Sequence, residues 1–132
     1  METRMNLEIL VPDGAVVQTP ISGLQAVDAS GCFGIWPNHE AFLTLLVPCI
    51  LAYREPAGEK KYAAVDGGVL LGQQNRVSLV TREAVLADRL EDVADRAAAM
   101  LKERRHLEKT AQVEFAELQT ILVRELRKVE RL

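Results

Sequence analysis

All eight glycines and all five prolines of this 132-residue chain lie at or before Gly72, and the last sixty residues contain neither. Glycine and proline punctuate strands and turns and are costly inside helices. A chain divided in this way is expected to hold a turn-rich β domain followed by a helical one. The boundary is placed in the eighties, giving a β domain at 1–87 and a helical domain at 88–132.

The first part reads as short strands separated by turn residues. Residues 5–11 alternate apolar and polar before Pro12-Asp13-Gly14 turns the chain. Further strands are expected at 15–18, 24–29, 43–47, 50–54, 60–65, 69–71 and 76–81. Glu55-Pro56-Ala57-Gly58-Glu59 is read as a hairpin tip, Asp66-Gly67-Gly68 as a strand break, and 72–75 as a turn. Many short strands with such turns predict a flattened β-sandwich or barrel. Within it, residues 31–47 carry two glycines, the only tryptophan, Pro37 and His39 ahead of a dense apolar run. This stretch is read as a shaped loop presenting a surface to a partner; the alternative is a tight core corner holding Trp36 and Phe33.

The second part reads as amphipathic helix. Apolar residues recur at intervals of three or four, at Leu90, Val93, Ala97, Met100, Leu107, Ala111, Phe115, Leu118, Leu122, Leu126 and Val129, apart from one gap at Arg104. Asp88 is placed as the N-cap, with Glu91 in capping-box position. A break at 109–112 would make a hairpin of two helices, the first choice; an unbroken helix is the second. The single apolar stripe has to be buried, and a stripe that two surfaces can shelter meets the requirement for a switch.

Composition excludes several classes. The net charge of −3 argues against nucleic acid as the main partner. No apolar run approaches the ~20 residues of a membrane span. The N-terminus does not resemble a signal peptide, and Cys32 and Cys49 are read as two free thiols in a reducing compartment, so the chain is expected to be cytoplasmic. Metal-ligand spacing is absent, so no metal or cofactor is expected.

Catalytic constellations are weak. His39 beside Glu40 lacks a nucleophile or a third group at readable spacing, and is read as an interface or turn-stabilising histidine. Gly67-Gly68 is followed by no helix start and no Lys-Ser/Thr, so it is read as turn rather than phosphate loop. Arginines such as Arg96, Arg104 and Arg124 could gather around a nucleotide. On a segment with ten cations and ten acids, solvated or paired side chains are the plainer expectation. No enzymatic site is expected.

Two residue blocks carry a resemblance. Gly31-Cys-Phe-Gly-Ile-Trp-Pro-Asn-His39 runs into Leu43-Thr-Leu-Leu46, and Val65-Asp-Gly-Gly68 precedes Asn75-Arg-Val-Ser-Leu79. In this order they resemble the epsilon subunit of F-type ATP synthases. The resemblance implies a flattened sandwich of about ten strands followed by a helical hairpin. It implies a non-catalytic central-stalk subunit, peripheral on the cytoplasmic face of the inner membrane. Its partners would be the gamma subunit, the c-ring and, through the C-terminal helices, the catalytic alpha and beta subunits, with ATP hydrolysis inhibited in some members. Ser30, Gly31, Cys32 and Phe33, with Asn38, His39, Glu40 and Phe42, are the implied interface residues.

Departures from the family pattern are Asn38 for a glycine, Glu40-Ala41 for Ala-Pro, Pro48-Cys49 for Pro-Gly and Leu71-Gly72 at the end of the Gly-Gly strand. They point to a divergent branch, the alternate, sodium-translocating ATPases, with the coupling ion left open. Of the family's ATP motif, Ile/Leu-Asp-x-x-Arg-Ala, only Arg96 and Ala97 match, so weak or no ATP binding is expected and Arg96 is the one candidate contact. Two other readings stand beside this one: a nucleotide-sensing module using the helical arginines, and a stand-alone adaptor dimerising through its helices.

Overall fold

The computed structural model describes residues 3–130, with the side chains at 108, 110–119, 121–123 and 125–130 outside that description. The predicted stripe from Ala111 to Val129 falls among the latter. Among the described residues, eight strands precede one helix: β1 (Met5–Val11), β2 (Gly14–Ile21), β3 (Gly23–Asp28), β4 (Gly31–Ile35), β5 (Phe42–Arg54), β6 (Lys60–Gln73), β7 (Arg76–Val80), β8 (Ala84–Ala87) and α1 (Leu90–Glu130). The β-plus-α class expected from the sequence is present.

The strands form one hydrogen-bonded sheet in the order β2-β1-β7-β6-β5-β3-β4, with β8 also on β6. All neighbours are antiparallel except β1 and β7, which run parallel. The pair β5–β6 keeps one register from Phe42↔Gly72 to Arg54↔Lys60. Its inward face changes sides along the way. Leu46 and Leu70 are core residues at one end, and Leu51, Tyr53, Ala63 and Val65 are core residues of the opposite parity at the other. Side chains alternate strictly along a strand, so such a reversal requires a bend.

The bend lies at Gly67 and Gly68, whose φ values are +70° and +125°. A Cβ on Gly68 would stand 2.1 Å from the Val80 carbonyl oxygen, and one on Gly67 would stand 2.6 Å from that of Leu46. Only glycine permits this approach. The bend folds the sheet into a sandwich. One layer holds β2, β1, β7, the C-terminal half of β6 and the N-terminal half of β5. The other holds β8, the remaining halves of β6 and β5, then β3 and β4. Met5, Leu7, Ile9, Val77 and Leu79 from the first layer meet Leu24, Leu51 and Val65 from the second in a single core.

Two expectations about these strands change. Asp66-Gly67-Gly68 bends β6 without ending it, and counting β5 and β6 once in each layer accounts for the difference between eight strands and ten. Gly31–Ile35, expected as loop, is strand β4, paired along β3 from Leu24↔Ile35 to Asp28↔Gly31.

The expected hairpin is also corrected, because α1 continues through 109–112 as a single helix. With no Gly or Pro in the segment, nothing interrupts the backbone ladder, and extending an existing helix costs less than nucleating a second. Asp88 is not its cap: the carboxylate accepts a hydrogen bond from Lys61 at 2.7 Å, and the helix begins two residues later. Val93, Ala97 and Met100, one face of the first three turns, are buried with Ala64 against Ile50, Tyr62, Val85 and Ala87 of the second layer. The chain forms two compact units, Met1–Leu101 and Lys102–Leu132.

Candidate functional site: an uncovered sheet face and the His39 loop

Four strands of the first layer each carry two adjacent apolar residues. In every pair one member is buried in the core: Ile9, Leu46, Leu70 and Leu79. The other member, Leu10, Leu45, Val69 or Val80, is on the opposite side of the sheet. Register places those four in one line across the layer, Leu45↔Val69, Val69↔Val80 and Val80↔Leu10. Leu45 is 66% exposed and Val80 54%, while Leu43 and Leu71 form a second exposed pair beside them. The corresponding outer face of the second layer is partly occupied by the start of α1. Among the described residues of the first unit, nothing is packed on the first layer's outer face along this row. An apolar row this continuous on a sheet surface marks an interaction face.

Leu43, Leu45, Val69, Leu71 and Val80 are not among the interface residues expected from the sequence. The signal was nonetheless there. Runs apolar at both parities, such as 43–47 and 69–71, belong to strands buried on both faces, and here the described residues of the first unit cover only one.

Beside this face lies a hollow of about 570 Å³ between β4 and the start of β5. Phe33, His39, Glu40 and Phe42, four of the candidate interface residues, line it. Phe33 and Phe42 also pack on the core. His39 meets Phe42 edge to face at 5.4 Å, and its Nδ1 lies 2.9 Å from the Glu40 carbonyl oxygen. That bond assigns the proton to Nδ1. Among the described residues no hydrogen-bond partner reaches the buried Nε2.

The other four candidates do not line the hollow. Ser30 occupies the β3–β4 turn, where its hydroxyl and backbone N–H both donate to Asp28. Gly31, at φ +122°, opens β4, and Cys32 is exposed on that strand. Asn38 sits in the loop after β4 at φ +68°, its N–H donating to Asn75 Oδ1. The Ser30 hydroxyl, then the Thr44 hydroxyl, hold the Asp28 carboxyl below its ordinary value of 3.8. Thr44, at 2.9 Å, thereby ties β5 to the end of β3. Trp36, which the core-corner reading would bury, is 62% exposed.

Arg96 is on α1, away from the loop in sequence, and makes a two-point ion pair with Glu83 through Nε and Nη2. Among the described residues no group of His, Cys, Asp and Glu is arranged to hold a metal, and no helix is long and apolar enough to cross a membrane.

Comparison with known proteins agrees with this architecture. Residues 4–87 match the model of the ATP synthase delta/epsilon chain β-sandwich domain. ATP synthase epsilon chain 2 of Paraburkholderia xenovorans (strain LB400) is 37% identical over 92 residues, which is 68% of this chain and 66% of that one. The match thus spans just under two thirds of that relative's length. The epsilon chain of Anaeromyxobacter sp. (strain K) is 32% identical over 120 residues, covering 91% of this chain and 90% of its own. By fold, the chain is similar to one in the Euglena gracilis mitochondrial ATP synthase structure (OSCP/F1/c-ring, rotational state 1), with TM-score 0.63, 23% identity and 72% and 62% of the two chains covered. The bent two-layer sandwich, the family match along it and a relative aligned over nine-tenths of its own length together establish that the chain belongs to the delta/epsilon chain family of ATP synthases.

Proposed function

We propose that this chain is the epsilon subunit of an F-type ATP synthase, a non-catalytic member of the central stalk. In this reading the bare apolar row docks on the gamma subunit, and the His39 hollow with the Ser30 turn faces the c-ring. The subunit is then peripheral on the cytoplasmic side of the membrane, held by its partners. Family membership supports the assignment.

The observation that carries the docking reading is the row Leu10, Val80, Val69 and Leu45, whose core-side neighbours are already satisfied. Burying a side chain such as Leu45 against a partner contributes roughly 1.5–3 kcal/mol. Co-expression with the cognate gamma subunit tests the reading. A stable complex is expected, and a folded chain that fails to co-purify with gamma would overturn it.

The C-terminal helix is the candidate inhibitory element, contacting the catalytic alpha and beta subunits. The test removes residues 102–132 only, because Val93, Ala97 and Met100 belong to the core of the first unit. Faster ATP hydrolysis by the motor assembled with the shortened chain is expected. Equal rates would mean that this segment is not an inhibitor.

A further inference from the structure

On the outer face of the second layer, register aligns Lys60, Arg54 and Gly23 in one row across β6, β5 and β3. The next row on the same face places Tyr62, Ala52, Gln25 and Gly34 side by side. Trp36 lies across the two glycines. A Cβ on Gly34 would meet the benzene edge of the indole at 2.4 Å, and one on Gly23 would stand 3.5 Å from Nε1. Glycine at both positions leaves room for the ring, and Ala52 leaves the floor beside it open. The result is a hollow of about 280 Å³ with Trp36 as one wall and Arg54 and Lys60 at its rim.

Its polar lining consists of groups able to donate: the Ser22 hydroxyl, the Gln25 amide, the guanidinium and the ammonium. No carboxylate lines it, although the chain as a whole is acidic. Arg54 and Lys60 are direct cross-strand partners, an arrangement of like charges that destabilises a sheet. Among the described residues neither makes an ion pair. One Arg54 N–H donates to the Gly58 carbonyl at 2.7 Å, and the Lys60 ammonium stands 5.8 Å from the Tyr62 ring centre. The adjacent acid Glu59 is paired with Lys61 instead.

Two uncompensated positive charges side by side match a dianion better than a carboxylate, and a guanidinium fork favours phosphate geometry. The exposed indole provides a surface on which a flat ring can stack. We propose that this hollow binds a small phosphate monoester carrying a planar ring, with its phosphate between Arg54 and Lys60 and its ring on Trp36. The site is separate from Arg96 and from the bare row of the first layer, and does not depend on the docking reading.

Trp36 is the only tryptophan and lines both this hollow and the His39 hollow, so its fluorescence reports binding at either, and loss of the response on replacing Arg54 and Lys60 assigns the signal to this one. The full-length chain is titrated with adenosine 5′-monophosphate, with adenosine and inorganic phosphate as separate arms. A saturable change with the monophosphate is expected, with each fragment binding at least about tenfold more weakly. The double substitution Arg54→Gln, Lys60→Gln should abolish the saturable response while the circular dichroism spectrum stays that of the parent chain, because both side chains lie at the rim of the hollow and outside the core. A linear response to the monophosphate, equal binding of adenosine alone, or an unchanged response in the double variant would each overturn the proposal.

Discussion

Asn38 and Asn75, thirty-seven positions apart, hold one another from both sides. The Asn38 N–H donates to Asn75 Oδ1 at 2.5 Å, and Asn75 Nδ2 donates back to Asn38 Oδ1 at 3.3 Å. Both backbones are left-handed, at φ +68° and +55°. Gln74 and Asn75 together make the two-residue β6–β7 turn with positive φ at each position, the type that suits strand twist. The Asn75 carbonyl also accepts from the Asn6 N–H at the start of β1. One residue thus fixes the entry to the His39 loop, a hairpin and the parallel strand beside it.

Substituting Asn75 by alanine removes the acceptor and places a Cβ-bearing, non-amide residue at positive φ. The expected cost is about 2–4 kcal/mol, read from the urea midpoint. Asn75→Gly keeps the conformation and loses only the amide, so about 1–2 kcal/mol is expected. Equal effects of the two would show that the backbone preference contributes nothing.

Gly68→Ala should be the more severe of two glycine substitutions. Its Cβ would collide with the Val80 carbonyl at the bend joining the layers, and a loss of more than about 3 kcal/mol or failure to fold is expected. Gly58→Ala, with φ +99° and nothing within 4 Å of the new Cβ, should cost only about 1–2 kcal/mol. Thermal melts of both variants check the ordering.

Asp28 links acid stability to the Ser30 turn. Its folded carboxyl lies below the ordinary 3.8 because hydroxyl and backbone donors favour the anion. The stabilisation is therefore complete above the unfolded value and is lost as pH falls through the folded one. The stability difference between the parent chain and Asp28→Asn should be constant near neutral pH and shrink below pH 3.8. A difference that grows on acidification would contradict this.

The thiols should separate cleanly. Cys32 is exposed, whereas Cys49 is buried in the core and burial pushes its thiol up. Alkylation of the native chain is expected to modify Cys32 alone, with Cys49 reacting only after denaturation. Rapid modification of both in the native state would show that the core around Cys49 opens.

Much of this architecture was legible in the residues. Turn chemistry at Pro12-Asp13-Gly14 and at 55–59 located two hairpins, and the Gly/Pro-free tail located the helix. Four features were not, one being the unbroken helix, since Thr110 with Glu114 reads as a cap in sequence yet α1 runs through it. Gly31–Ile35 looked like a loop because its two glycines read as punctuation, yet Gly34 is small to receive Trp36 and Gly31 serves the turn. The sandwich bend looked like a strand end, because a local pattern does not reveal that β5 and β6 pair continuously through it. Asp88 has the chemistry of a cap, but Lys61, brought close by the β6–β8 pairing, competes for its carboxylate. As for the site, the loop residues stood out by their unusual types. The apolar row did not, because Leu45 and Val80 resemble core residues until the sheet shows which face is already filled.

The central claim is that the outer face of the first layer is a docking surface. Leu45→Glu with Val80→Glu places two charges on that row without touching the core, so the fold should persist by circular dichroism. Titration calorimetry of this variant against the gamma subunit is the direct measurement. Affinity at least about a hundredfold weaker than that of the parent chain is expected; unchanged affinity in the folded variant would contradict the account.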